Sequence, residues 1–213
     1  MLSLLLNGNI VLFSLILVSL IISLTFHEFG HAATAKIFGD PTAEKMGRLS
    51  LNPLVHIDLM GLLMIIMIGF GYAKPVPTDP RNFNSKWADL FVSAAGPGMN
   101  LVLAIFAINF YYIGVKMGVG WMELESTKFF FIYFSLINLL LMLFNLIPIG
   151  ALDGHYILPY FLPEKLAYQY RLYNHKYGNQ FFLALILLSI LGVPIFQKVW
   201  EMGQAMLPWI IFV

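Results

Sequence analysis

Three features of the sequence predict a polytopic α-helical membrane protein, with about four spanning helices plus a re-entrant, β-containing segment on the cytosolic side. First, hydrophobic residues make up 60% of the 213 residues and charged residues only 11%, where a soluble domain carries about 25% charged residues. Second, residues 1–26, 90–115, 129–152 and 177–197 contain no charge at all. Each is long enough for the roughly 20-residue helix that crosses a hydrocarbon core of about 30 Å. Third, the basic residues cluster between these runs in an uneven way. The formal net charge of +1 excludes binding driven by phosphate neutralisation, so no nucleic-acid partner is expected. High hydrophobicity with low charge excludes intrinsic disorder. The absence of cysteine excludes a disulfide scaffold, a Cys-ligated metal and a thiol nucleophile.

The first run, 1–26, has no Lys or Arg before it and no small-residue cleavage site after it, so it reads as a retained span rather than a signal peptide. It leads straight into His27-Glu28-Phe29-Gly30-His31. Segment 43–56 follows, where Arg48-Leu49-Ser50-Leu51-Asn52 alternates as a half-buried strand does. The run 59–73 is only 15 residues long and contains Gly61, Gly69 and Gly71. That is too short for a span, so it reads as re-entrant or interfacial. Lys74-Pro75-Val76-Pro77 reads as extended, because proline excludes helix. Runs 90–115 and 129–147 are then an outward and an inward span. Gly192 and Pro194 interrupt the run 177–197 and predict a bend there. The tail 202–213 is apolar and short. The chain is expected to be one membrane-embedded domain over 1–213, with a core at 10–160 and additional C-terminal helices in 161–213.

Orientation follows from the cations. Nine of the twelve Lys and Arg residues lie in 36–89 and 153–176, and only Lys116, Lys128 and Lys198 fall on the other side. This places 36–89 and 153–176 in the cytosol and the N-terminus outside.

The chemistry is carried by residues 27–31. On a helix, positions i and i+4 share one face about 5–6 Å apart. His27 and His31 can therefore bind one Zn²⁺, with Glu28 placed to take a proton from the attacking water. With 5 His, chance supplies only about 0.003 such motifs per chain, so composition does not explain it. A catalytic zinc needs a third protein ligand and one open position. The candidates are Asp40, Asp58, Asp89, Asp153, Glu44 and the other histidines. Topology favours Asp153. If 59–73 does not cross, the span 129–147 returns the chain to the side and depth of the histidines. Asp153 also reads as a helix N-cap. Upstream of it, Pro148 and Gly150 break the helix, which membrane depth tolerates where backbone lines a cavity or is buried in protein. Asn145 reads either as the partner of a carbonyl freed by Pro148 or as a donor to a substrate carbonyl or oxyanion.

These residues resemble the site-2 proteases, the intramembrane zinc metalloproteases. His27-Glu28-Phe29-Gly30-His31 is similar to the family's zinc motif, and Phe144-Asn145-Leu146-Ile147-Pro148 through Leu152-Asp153-Gly154 is similar to its second motif. Ala95-Gly96-Pro97-Gly98-Met99-Asn100 resembles its Gly-x-x-x-Asn pattern, and Gly47 through Pro53 with Gly71 through Phe83 resembles a compact prokaryotic branch. The resemblance covers about residues 10–160. It implies one zinc per chain held by His27, His31 and Asp153, with Glu28 as general base and then acid and Asn145 orienting the substrate or the oxyanion. It further implies an intramembrane zinc endopeptidase acting on transmembrane protein or peptide substrates near the cytosolic face of a prokaryotic cell membrane. The family often has a second glycine after the Asp-Gly pair, where this chain has His155. His155 is then a neighbour of the ligands, an alternative ligand, or a polar residue at a helix start. The chain's length leaves no room for the PDZ or nucleotide-sensing domains of larger relatives. The alternatives are a membrane metal-ion transporter and an inactive homologue that binds membrane proteins. A carrier needs no Glu between its histidines and usually shows paired repeats. The sequence leaves the oligomeric state open.

Overall fold

The computed structural model describes residues 2–68, 71–150 and 152–213. Met1, Gly69, Phe70 and Ala151 lie outside the described residues, Gly69 and Ala151 among them having been part of the sequence reading. The described helices are α1 (Leu2–Leu6), α2 (Ile10–Ile37), α3 (Thr42–Lys45), α4 (Leu59–Ile68), α5 (Ala88–Lys116), α6 (Glu125–Asn145), α7 (Gly154–Ile157), α8 (Glu164–Ile190) and α9 (Ile195–Met206). Three of them, α2, α5 and α6, are long and apolar enough to cross a membrane, and α8 with the segment after it makes a fourth if the bent pair is taken as one span. The chain is an integral membrane protein.

The run 1–26 does not form one helix from its start. Gly8, at φ +75°, ends α1, and α2 then continues without a break through the His27–His31 motif. Ser19, Ser23 and Thr25 are buried on α2. Each hydroxyl donates to the carbonyl four residues earlier, at 2.6 to 2.7 Å. The helix thus satisfies its own polar side chains where water is scarce.

Among apolar lipid tails there is little hydrophobic drive between helices, so close packing of small residues decides which helices meet. Gly30 of α2 faces α5, and a Cβ there would lie 2.6 Å from Met99 Cγ and 2.8 Å from the Ala95 carbonyl oxygen. Ala32 and Ala35 are completely buried. Part of the α5–α6 contact is an apolar cluster of Ala104, Ile108, Leu139 and Met142, which Ile210 joins from the C-terminal segment.

The β-containing part of the expectation is not met: no strand forms among the described residues. Ser50 Oγ accepts from Asn52 N at 3.1 Å, and Asn52 Oδ1 accepts from Leu54 N at 3.1 Å. These local bonds curl residues 50–55 into turns, as Ser and Asn side chains do when they compete with ladder pairing. What remains is an isolated antiparallel bridge between Ile57 and Ala73, with Lys74 N donating to His56 O at 2.8 Å and Arg48 Nη2 donating to Lys74 O. The two ends of the 59–73 run therefore lie side by side. Between them α4 has 10 residues, about 15 Å of helix.

The bend predicted at Gly192 and Pro194 is present. Gly192 has φ +101°, and the helix pair turns by 88° across this break. The helix before it begins at Glu164, well before the uncharged run, and Gly178 is its buried residue.

Asp40 organises the polar loops. Its carboxylate accepts from Thr42 Oγ1 at 2.5 Å, Thr42 N at 3.0 Å, Asp79 N at 2.7 Å and Asn82 Nδ2 at 2.9 Å. Burial pushes its pKa up, but these hydrogen bonds outweigh burial and hold it below the ordinary Asp value. A depressed folded pKa gives stability that is present above the unfolded value and lost as pH falls through the folded one. Hydrogen bonds to a charged group contribute about 1.5–3 kcal/mol each. The Asp79 amide is therefore expected to stay protected from hydrogen exchange at neutral pH and to lose protection only below about pH 4. In Asp40→Ala it should exchange at least about tenfold faster at neutral pH. Equal exchange in the two proteins would refute the clamp.

Candidate metal centre

His27 and His31 sit one turn apart on α2 and are both buried. Their rings meet edge to face, with centroids 4.7 Å apart. Each Nδ1 has an oxygen partner on α5: Asn100 Oδ1 lies 2.7 Å from His27 Nδ1, and the Val92 carbonyl lies 2.7 Å from His31 Nδ1. A backbone carbonyl only accepts, so His31 carries its proton on Nδ1. Asn100 donates through Nδ2 to Ser23 O at 3.2 Å, which leaves its oxygen toward His27 and puts that proton on Nδ1 as well. The two Nε2 atoms then face each other across 3.1 Å.

Asp153 closes the triangle. Its Oδ2 lies 3.2 Å from His27 Nε2 and its Oδ1 lies 3.4 Å from His31 Nε2. It occupies the N-cap position of α7 but makes no capping hydrogen bond, so the helix-cap alternative does not account for it. Asp153 Oδ2 and Glu28 Oε2 are buried with no hydrogen-bond partner. Zinc bonds of about 2.0–2.2 Å in a tetrahedron put ligand atoms about 3.4 Å apart. The observed edges of 3.1, 3.2 and 3.4 Å match that spacing. His27 Nε2, His31 Nε2 and the Asp153 carboxylate form a cluster close enough to hold a metal ion, and a cation is what such a donor set accepts. Gly96 of α5 leaves the room. A Cβ there would collide with His31 Nε2 and lie 2.6 Å from His27 Nε2.

The loop bearing Asp153 is held from three sides. Gly150, at φ +66°, turns the chain after α6. The Asn174 side chain of α8 accepts from Gly150 N and donates to Gly150 O, both at 3.0 Å. Tyr170 Oη donates to Pro148 O at 2.7 Å. Gly154 lies against the end of α6, where a Cβ would overlap the Leu146 carbonyl. A residue with a side chain at 154 would push Asp153 away from the histidines.

The other sequence candidates fall elsewhere. Asp58 Oδ1 accepts from Gly61 N at 2.9 Å and so caps α4. His56 is buried and its Nε2 donates to Ser50 O at 2.7 Å. Glu44 pairs with Lys36 at 2.5 Å. His155 lies tilted against Tyr156 and Tyr170, with centroids 4.6 and 5.6 Å away, and it is outside the donor cluster. Asn145 donates to Leu141 O at 2.9 Å, within its own helix. The carbonyl that Pro148 frees is that of Phe144, and Ile147 N takes it at 3.1 Å, so Asn145 does not serve that purpose. Glu28 is buried beside the triangle. Arg48, also buried, has its guanidinium pKa lowered by desolvation, with the Glu28 carboxylate pulling the other way.

Sequence reasoning left Val92 and Gly96 without a role, and quoted Asn100 only as part of a pattern. Gly96 and Asn100 did carry a signal, a Gly-rich stretch and an amide inside an uncharged run, where an unpaired amide is costly, whereas Val92 contributes only a backbone carbonyl and carried none.

The chain resembles known proteins over much of its length. A family model described as peptidase family M50 matches residues 15–120 and 113–189. YwhC of Bacillus subtilis (strain 168), named a candidate zinc metalloprotease, is 41% identical over 152 residues, which are 70% of this chain and 69% of that protein. Rip2 of Mycolicibacterium smegmatis, named in the same way, is 33% identical over 160 residues, 71% of this chain and 59% of that protein. Rip2 of Mycobacterium tuberculosis is 31% identical with the same coverage. No solved structure matches the chain significantly.

Proposed function

The chain belongs to peptidase family M50, the site-2 proteases, and from this we propose that it is an intramembrane zinc endopeptidase hydrolysing peptide bonds within or near transmembrane helices of membrane proteins. The observation that carries the reading is the convergence of His27 Nε2, His31 Nε2 and Asp153 on one point while both Nδ1 atoms are engaged elsewhere. These three residues would hold one zinc per chain. When bound, zinc supplies Lewis acidity that makes water nucleophilic at neutral pH.

The chain's own groups do the rest. Glu28 takes the proton from the attacking water and returns it to the leaving amine nitrogen. Its unpartnered, buried Oε2 supports this, because no hydrogen bond has to be broken first. Asn145 orients the substrate carbonyl. Its bond to Leu141 O uses one of its two amide N–H groups and fixes the side chain, leaving the second as the donor to the developing oxyanion.

The setting is a single membrane-embedded domain of a prokaryotic cell membrane, with the N-terminus outside and the active site near the cytosolic face. The nine-to-three division of cations supports that orientation. The bridge between Ile57 and Ala73 supports a re-entrant path for 59–73, because a segment whose ends pair does not emerge on the far side. The ion-carrier alternative draws no support from the family match or the named relatives.

Metal content tests the site without knowledge of the substrate. Detergent-solubilised protein is expected to contain about one zinc per chain. The His27→Ala/His31→Ala double variant should contain none, and Asp153→Ala markedly less than the wild type. Folded wild-type protein that takes up no zinc after supplementation would overturn the reading, and unchanged metal in Asp153→Ala would remove that ligand.

A further inference from the structure

Asn138 lies in α6 and is completely buried, as is its neighbour in sequence Leu139. An amide at membrane depth persists only where its groups are paired. Asn138 Nδ2 donates to Phe134 O at 2.9 Å, one turn back in the same helix. Asn138 Oδ1 accepts from Asn100 Nδ2 at 3.0 Å, across to α5. Asn100 is itself completely buried. Its second N–H goes to Ser23 O of α2 at 3.2 Å, and its oxygen faces His27 Nδ1 at 2.7 Å. A hydrogen-bonded chain of two amides thus runs from α6 through α5 to a candidate ligand on α2.

The direction of this chain matters. An Asn side chain is nearly symmetric in shape, so its partners decide which end is oxygen. With both N–H groups of Asn100 taken by Asn138 and Ser23, its oxygen must face His27. If the amide turned over, it would present N–H to His27 Nδ1. The ring would then carry its proton on Nε2, the atom that points at His31 and Asp153. We propose that Asn138 is a positioning residue for the metal centre. By accepting from Asn100 it fixes the amide orientation that keeps the His27 lone pair on Nε2. This rests on the assignment of His27 as a metal ligand. Groups that orient a ligating histidine in this way change metal affinity about 10–100-fold when removed.

The test is zinc affinity of the full chain in detergent, by competition with a chelator, read beside thermal stability. Asn138→Ser is the main variant. A serine there can back-bond to Phe134 O, as Ser19 and Ser23 do to their own helix, but it is too short to reach Asn100. Asn138→Ser and Asn138→Leu are expected to bind zinc about 10–100-fold more weakly. Asn138→Asp, protonated at that depth, keeps an acceptor and a donor and should bind zinc as the wild type does. Asn109→Leu is the control. Asn109 is another helix amide, bonded to Ile105 O, Ile210 O and Phe212 N at 2.7 to 2.8 Å and remote from His27 in these contacts. It should lose thermal stability and keep zinc affinity. Wild-type affinity in folded Asn138→Ser overturns the proposal, as does equal weakening in Asn109→Leu, which would reduce the effect to packing. If Asn138→Leu fails to fold, Asn138→Ser decides. A wild-type protein without zinc affinity would instead overturn the ligand assignment beneath it.

Discussion

Glu28→Gln is expected to lower cleavage by at least about 10²–10⁴-fold, the range that a positioned acid or base contributes, and to leave zinc bound at wild-type stoichiometry. The separation of the two effects follows from the helix. Residue 28 is one step from His27, about 100° around α2, so its carboxylate is not part of the triangle formed by His27, His31 and Asp153. Gln has the same shape and fills the same buried place, so packing is preserved. What disappears is a group that can hold a proton and give it up. The measurement is hydrolysis of a single-span membrane substrate by purified protein in vesicles, with elemental analysis of the same samples. Retained hydrolysis would remove Glu28 as the base. A binding-only homologue would show no hydrolysis in either protein, so the wild type has to be active for the comparison to count in favour.

The second large effect is expected at a residue with no functional group. Gly96→Ala should abolish zinc binding, while Gly98→Ala, two positions along the same helix, should leave it intact. Alanine favours helix over glycine by about 1 kcal/mol, so propensity predicts that both changes help α5. Space decides otherwise. At Gly96 the added carbon would collide with His31 Nε2 and come within 2.6 Å of His27 Nε2, whereas at Gly98 nothing lies within 4 Å. Carbon contacts settle at about 3.5–4.0 Å, so at position 96 either the rings or the helix must move. Zinc content of both variants, with helical content checked by circular dichroism, is the measurement. A fully loaded Gly96→Ala protein would show that α5 does not form the wall of the site.

The candidate ligands were legible in the sequence because two of them depend only on helical repeat. His27 and His31 share a face whatever α2 packs against. Asp153 needed one further argument, the return of the chain to the same side, and the charge pattern supplied it. The contributions of Val92, Gly96 and Asn100 were not legible in the same way. They depend on the register of α5 against α2, which is set by close contacts at Gly30 and Gly96 that no single-sequence periodicity encodes. The strand expected at 48–52 failed for a different reason. Alternation at Arg48 to Asn52 was a true pattern, but Ser50 and Asn52 bond to neighbouring backbone and turn the chain before a partner can pair. The uncharged run 129–152 read as a span, and α6 forms most of it. One amide within it, Asn138, was passed over.

The clamp of Asn174 on Gly150 sets a lower limit on how far this protein can be reduced by engineering. The motifs that identify the family end at residue 154, and a minimal unit drawn from them would stop soon after. Yet Gly150, three residues before Asp153, is gripped on both its N–H and its C=O by a side chain twenty-four residues further along, with Tyr170 holding Pro148 beside it. A shortened protein cut ahead of α8 would retain every donor atom and lose the fixture that aligns one of them. The smallest excerpt of this chain that keeps its centre in register therefore runs through Asn174.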